Sequence, residues 1–245
     1  MSHKSRISGP ISRRTLPGVV LTAFLLLQLA TPVWAEDHYL TVGHPDGVAL
    51  LAPPPAPGSA EAAADLAEVR MVFKGRTAAE EARAKQEEGL SFSLFEPAIG
   101  PIFQPGKLPE TEALLKKVKK EIGESINIPK NYWKRMRPYQ VDAQLSFDPP
   151  EKSFSYPSGH STRGTVYALV LAELFPEKRD AILTIGRDIG WDRVLIGKHF
   201  PTDIQAGRVL AQSIVRELLA SPVFQHDLAA AKAEVQAAQN QAAAR

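Results

Sequence analysis

Tyr156-Pro157-Ser158-Gly159-His160 leads directly into an apolar-periodic run from Thr165 to Leu174. A small, polar, glycine-bearing turn ahead of such a run marks the start of a helix. The first turn of a helix carries backbone N–H groups without intrahelical partners and the positive end of the peptide dipole. Ser158, Gly159 and His160 there add a hydroxyl, an unhindered N–H and an imidazole, a set suited to holding an anion. Taken alone the feature is common. It acquires chemical meaning only if the chain also brings cations and a second histidine to the same place.

Outward from this stretch, the first 35 residues stand apart from the rest. Lys4, Arg6, Arg13 and Arg14 make a positive segment, Gly18 to Ala30 an apolar one, and Val33-Trp34-Ala35 a small-x-small cleavage site before Glu36. This is the pattern of a secretory signal peptide, and the apolar run is shorter than the ~20 residues a membrane-spanning helix needs. Ser12-Arg13-Arg14 resembles the start of a twin-arginine signal, but Leu16-Pro17 breaks that pattern, so the general secretory route is expected. The product is then periplasmic or secreted after cleavage near Ala35-Glu36. Cleavage removes four of the 29 basic residues and none of the 27 acidic ones, leaving a net charge of −2. That balance points to no nucleic-acid partner and requires any cationic site to be local. The chain has no cysteine, which excludes a disulfide framework, a thiolate zinc site, a cysteine nucleophile and a lipoprotein attachment point. No apolar run after residue 35 reaches spanning length, so no membrane span is expected in the mature chain.

Residues 36–59 form a proline-rich N-terminal segment, expected to lie over the surface as polyproline II around Pro53-Pro54-Pro55. Ser59 is a suitable N-cap for a helix reaching residues 71–73, and Thr77-Ala78-Ala79-Glu80 is a capping box opening another to about Glu88. The apolar stretch from Ser91 to Gln104 is broken by Pro97, Gly100 and Pro101, and reads either as core filling or as the wall of a cleft. Leu114, Leu115, Val118 and Ile122 make one helical stripe, with Lys116, Lys117, Lys119 and Lys120 turned to solvent. Pro129 suits the first turn of the next helix and Pro138 makes Arg137 its end. Lys130 and Arg137 then project from one helical face, two turns apart. Residues 139–156 read as irregular, 177–190 as a helix after the one opened by Ser158, and 191–200 as a connection. Asp203, Gly207, Leu210, Ile214 and Leu218 form a further stripe in which Asp203 is the charged member and needs a partner. An alanine-rich helix from Phe224, fraying at its end, completes the chain. No period-2 pattern is sustained anywhere, so the predicted fold is all-α, with residues 60–245 as one helical domain.

Three blocks collect the informative positions: Lys130-x6-Arg137-Pro138, then Pro157-Ser158-Gly159-His160, then Asp192-Arg193-x5-His199-x3-Asp203. In order and spacing they resemble the signature of the type 2 phosphatidic acid phosphatase (PAP2) superfamily, K-x6-R-P, P-S-G-H and S-R-x5-H-x3-D. From residue 36 to about residue 240 the chain resembles the bacterial class A non-specific acid phosphatases of that superfamily. The proline-rich segment, Gly75-Arg76-Thr77-Ala78-Ala79-Glu80-Glu81-Ala82, and Ser221-Pro222-Val223-Phe224-Gln225 carry that wider similarity. Asp192 departs from the pattern, which has serine or another small residue there.

The resemblance implies a single-domain helical bundle of the PAP2/haloperoxidase type and an acid phosphatase of broad specificity toward small phosphate monoesters, with a phosphotransferase side activity. It makes His199 the nucleophile that forms a phosphohistidine, Asp203 the residue that orients it, and His160 the general acid. It makes Lys130, Arg137, Ser158, Gly159 and Arg193 the phosphate ligands. The charges fit that reading on physical grounds, because phosphoryl transfer is governed by positioning and by stabilising charge on equatorial oxygens. Asp192 is expected to face away from the substrate or to brace a neighbouring cation. No cofactor and no metal are expected: two histidines and an aspartate could ligate zinc, but three clustered cations oppose it. His38, His44 and His226 have no matching partners, and Lys134 reads as solvated. Three other functions are weighed: a lipid phosphate phosphatase, which wants spanning helices; a vanadium-dependent haloperoxidase, whose chains are usually longer; and a non-catalytic phosphate binder, which would not need both histidines. The sequence leaves a homo-oligomer open.

Overall fold

Helix caps written into the sequence set most of the element boundaries. The computed structural model describes residues 38–145 and 149–244; the expected signal peptide lies outside the described residues, and these contain helices and no strand. Ser59 accepts a 3.1 Å hydrogen bond from the Ala62 N–H and opens α1, Ala60–Gly75. Thr77 and Glu80 form the expected capping box of α2, Ala78–Gln86. The later helices are α3 (Pro109–Glu121), α4 (Gly123–Trp133), α5 (Gly159–Leu174), α6 (Arg179–Leu195), α7 (Pro201–Ala220) and α8 (Pro222–Ala243).

The helix opened by Ser158, α5, is buried on nearly every side and packs on both α6 and α7. Val166, Val170, Leu171 and Leu174 contribute to a core completed by α3, α6, α7 and α8. A helix buried on nearly every side, as α5 is, presents no amphipathic stripe to read and belongs in the middle of a bundle. Leu114, Leu115 and Val118 of α3 meet the α8 side of this core, each worth roughly 1.5–3 kcal/mol on burial. Glu234 of α8 also accepts 2.9 Å hydrogen bonds from the Glu110 and Thr111 N–H groups, capping α3 from another element. The terminal helix is therefore docked rather than loose, and stays helical to Ala243. Phe95, Ile99 and Phe103 of the Ser91 to Gln104 stretch are buried in the main core, while Ser91, Phe92, Ser93, Phe103 and Gln104 also line a cavity.

A second, smaller cluster joins Val69 of α1 to Leu145, Val194, Phe200 and Ile204. It pins α1 against the α6–α7 turn. Gly207 lets α7 approach the start of α5 closely, since a Cβ there would lie 2.8 Å from the Ser158 carbonyl oxygen.

Three sequence expectations are corrected. Pro129 sits inside α4 rather than in its first turn, because α4 begins at Gly123, straight after α3. Lys130 and Arg137 do not share a helical face: the helix stops at Lys134, which is left-handed (φ 49°), and Arg137 is extended (φ −83°, ψ 158°) ahead of a short turn, Pro138–Val141. Pro138 enforces that extended geometry on the residue before it. Helix α6 runs past Gly190 to Leu195, so Asp192 and Arg193 lie on a helix and not in a connection.

Candidate active site

The geometry of the third block follows from how α6 ends. Gly197 is left-handed (φ 69°), and the Lys198 N–H donates to the Arg193 carbonyl at 2.9 Å while the Gly197 N–H donates to the Val194 carbonyl at 2.9 Å. These two bonds make a Schellman motif, in which glycine supplies the positive φ without steric cost. The His199 N–H also reaches the Arg193 carbonyl, at 3.1 Å. The x5 spacing between Arg193 and His199 is therefore one helix terminus folded back on itself. Phe200 caps α7, Pro201 occupies its first turn, and Asp203 at the third position returns to accept from the Phe200 N–H at 2.9 Å. The same carboxylate oxygen, Oδ2, lies 3.1 Å from His199 Nδ1 and accepts from the Ser155 hydroxyl.

His199 is 2% exposed, and its other nitrogen, Nε2, lies 3.1 Å from Arg137 Nη1. A guanidinium can only donate, so Nε2 is the acceptor and the ring proton sits on Nδ1, donated to Asp203. Burial, followed by the charges of Arg137, Lys130 and Arg193, holds the imidazole well below its ordinary pKa. It is neutral, with a lone pair directed at a cluster of cations.

Those cations arrive from separate elements. Lys130 of α4 donates to the Phe154 and Ser155 carbonyls, and burial followed by Arg137 pushes its pKa down to about 7. Arg137 donates to the Ser153 and Lys198 carbonyls, each at 2.8 Å. Arg193 is completely buried, and among the described residues its Nη2 has a partner, Glu151 at 3.0 Å, while Nε and Nη1 have none. A buried planar fork with unmatched donors suits a planar or tetrahedral oxyanion. Ser158 caps α5, its oxygen accepting from the Ser161 N–H at 3.2 Å, so its own hydroxyl hydrogen is left to donate. Gly159 is the first residue of α5, with Lys130 Cε 3.8 Å from where its Cβ would stand.

His160 Nε2 is 3.3 Å from the Glu88 carbonyl, which fixes the proton there and leaves Nδ1 as the second titrating nitrogen. Burial, followed by Arg193, holds this ring too well below its ordinary pKa. All eight residues singled out from the three blocks thus lie on the elements that converge on the α6–α7 turn and the start of α5.

Sequence reasoning did not find the residues behind them. Arg135 Nη1 donates to Asp203 Oδ1 at 2.6 Å and to Thr202 Oγ1 at 2.7 Å, while Nη2 donates to Asp65 of α1 at 2.7 Å. Its guanidinium also stacks 3.9 Å from the centroid of Phe200. Lys198, fully buried, donates to Glu88 Oε1 at 2.7 Å. Asp192 is fully buried and takes a bidentate grip from Arg83 of α2, at 2.6 and 2.8 Å, so it braces a cation as expected. The one available signal was charge on stripes that otherwise face the core.

Residues 122–225 match the PAP2 superfamily. The chain is 34% identical over 202 residues to a non-specific acid phosphatase of Providencia stuartii, covering 77% of this chain and 80% of that one. It is 31% identical over 208 residues to an acid phosphatase of Zymomonas mobilis, covering 81% of this chain and 79% of that one. A shorter similarity, 40% over 70 residues, links it to a lipid A 1-phosphatase of Rhizobium johnstonii, covering 29% of this chain and 28% of that one. No helix among the described residues is long and apolar enough to cross a membrane. With three motif blocks converging on one buried histidine and relatives aligned over most of its length, the chain belongs to the PAP2 superfamily, alongside its non-specific acid phosphatases, and is a phosphatase.

Proposed function

We propose that the protein is an exported acid phosphatase of broad specificity that hydrolyses phosphate monoesters through a phosphohistidine on His199 Nε2. One observation carries this reading: a buried, neutral imidazole whose Nδ1 is 3.1 Å from Asp203 and whose Nε2 lone pair is 3.1 Å from Arg137. The phosphoryl oxygens are taken by Lys130, Arg137 and Arg193, with the Ser158 hydroxyl and the Gly159 N–H. When the Arg137 N–H passes from Nε2 to a phosphoryl oxygen, the lone pair is freed for in-line attack. The bond from phosphorus to the leaving oxygen breaks, His160 gives that oxygen a proton, and Asp203 stabilises the positive charge that grows on His199. Water then attacks the phosphohistidine, with His160 receiving its proton, and phosphate leaves.

An acidic optimum agrees with the electrostatics. Cations and burial disfavour a protonated His160 in the free enzyme, so the proton for the leaving group must come from acid solution or arrive with the substrate monoanion. Bound phosphoryl oxygens then favour the protonated ring. Export is supported by the basic-apolar-small pattern of residues 1–35.

Trapping the labelled phosphoryl group of a phosphate monoester by denaturation in alkali tests the mechanism. The expected result is an acid-labile phosphoenzyme in the wild type and none in His199→Ala, which also loses p-nitrophenyl phosphate hydrolysis. Turnover retained in His199→Ala overturns the nucleophile assignment. A panel of aryl, sugar and lipid phosphates tests breadth, and hydrolysis confined to one class refutes it. N-terminal sequencing of the exported form should begin at Glu36.

A further inference from the structure

Arg163 takes no part in the reaction as derived above, and no partner explains its position. It follows Gly159 by one turn and His160 by three residues on α5, so both are its neighbours on the helix surface. Helical side chains lean back toward the N-terminus of their helix. The guanidinium accordingly returns over the turn that opens the site, with Nη1 3.0 Å from where a Cβ on Gly159 would stand. Lys130 Cε lies 3.8 Å from the same point.

Other cations of the site are matched: Arg135 by Asp65 and Asp203, Lys198 by Glu88, Arg193 in part by Glu151, and Lys130 and Arg137 by backbone carbonyls. Arg163 has neither a hydrogen bond nor an ion pair among the described residues, and the nearby Tyr167 is the group that favours its charge. One turn further on, Tyr167 is fully buried, its hydroxyl without a partner among the described residues. Burial weakens the charged form of Arg163, and placing it beside Lys130 adds repulsion. An unpaired cation at that cost, beside a phosphoryl site whose three ligating cations are already supplied, calls for a second anion.

We infer that Arg163 is a specificity-determining residue that binds a second anionic group carried by the leaving group of the substrate. The side of the site follows from its place three residues after His160, the residue that serves the leaving oxygen in the proposed mechanism, on which this inference rests. The substrate class is a phosphate ester or anhydride whose leaving group bears a phosphate or carboxylate within a few bonds of the scissile oxygen. The chemistry is unchanged: the phosphoryl group moves to His199 and then to water, and the leaving oxygen takes the proton of His160. The second anion stays intact on the departing molecule, held by the guanidinium fork.

The test is a ratio. kcat/KM is measured for pyrophosphate and for 2-phosphoglycolate, each divided by the value for p-nitrophenyl phosphate, in the wild type, Arg163→Met and Arg163→Gln. Loss of a charged hydrogen-bond donor should lower at least one of the two ratios by about 10- to 100-fold in both variants. The ratio that falls tells whether phosphate or carboxylate is the preferred second anion. Ratios unchanged for both substrates overturn the inference while leaving the phosphatase reading intact. A wild type that turns over none of the three removes that reading and the inference with it. The glutamine variant keeps a polar side chain, so it supplies the measurement if the methionine variant fails to fold.

Discussion

Replacing Lys130 with methionine should abolish activity and yet stabilise the empty fold at acid pH. Lys130 is 4% exposed, and burial followed by the charge of Arg137 moves its pKa from 10.5 to about 7. At ~1.4 kcal/mol for each tenfold change, that displacement corresponds to roughly 5 kcal/mol of unfavourable surroundings for the ammonium form. Methionine removes the charge but leaves the Phe154 and Ser155 carbonyls short of a donor, which returns about 1–3 kcal/mol. A net gain of roughly 2–4 kcal/mol near pH 6 raises Tm by roughly 4–16 °C for a chain of this size. The sign follows from proton counts. Below the folded pKa both folded and unfolded chains hold the proton, and the penalty is complete. As pH rises through about 7 toward 10.5, the unfolded chain keeps a proton that the folded one has released, so wild-type stability climbs. The advantage of Lys130→Met should therefore shrink steadily between about pH 7 and pH 9. Losing Lys130 also relieves His199 of one of the charges that depress it, which acts in the same direction at low pH. Phosphate should raise the wild-type Tm and the variant's far less. Melting curves near pH 6 and pH 9, with and without phosphate, decide the matter. A variant that melts below the wild type near pH 6 without anion, or a gap that ignores pH, would refute the reasoning.

Sulfate, whose charge is constant over the working range, should inhibit competitively with a Ki that rises above about pH 7 as Lys130 discharges; a flat Ki shows that Lys130 keeps its proton. Arg135→Met leaves Asp65 and Asp203 buried without their shared cation and should cost about 3–5 kcal/mol, read as a Tm lower by roughly 10 °C together with a fall in kcat. An unchanged kcat would remove Arg135 from the support of His199. Arg83→Met strands the Asp192 carboxylate and should destabilise by a similar amount, whereas Asp192→Ser frees a half-exposed arginine to water and should cost under ~1.5 kcal/mol with modest loss of activity. The double variant should recover most of the loss caused by Arg83→Met, and simple additivity in calorimetry would contradict the pairing.

What the sequence made legible was local. His199 and Asp203 are one turn apart across a proline-started helix, and Asp203 doubles as the cap of that helix, so their meeting needed no long-range information. Ser158 opening α5 is equally local. The failures came from single backbone torsions and from distant partners. Lys130 and Arg137 do both come close to His199, but a left-handed Lys134 puts them on different elements, and no periodicity argument registers one residue with positive φ. Arg135 was missed because its partner Asp65 is 70 residues away on α1, and α1 is placed by the small cluster around Val69 rather than by a stripe of its own. Gly190, where the sequence reading ends the helix, lies five residues before the end of α6. It is helical because it packs closely on Ser161, where a Cβ would meet atoms at 3.1 Å.

Asp192 shows how a charge can enter such a site without upsetting it. An aspartate next to Arg193, a phosphate ligand in the proposed mechanism, would repel substrate if its charge were felt there. Arg83, 109 residues earlier, takes both carboxylate oxygens, and Glu87, buried beside the pair, has its pKa raised to about 8 by burial and by Asp192. Near neutral pH Glu87 is uncharged, the Asp192 and Arg83 charges cancel, and the three residues present no net charge to Arg193. Above about pH 8 Glu87 ionises and the group becomes anionic. The Asp192, Arg83 and Glu87 group is then without net charge throughout the acid range in which Lys130 stays charged, and opposes substrate only where Lys130 has already lost its proton.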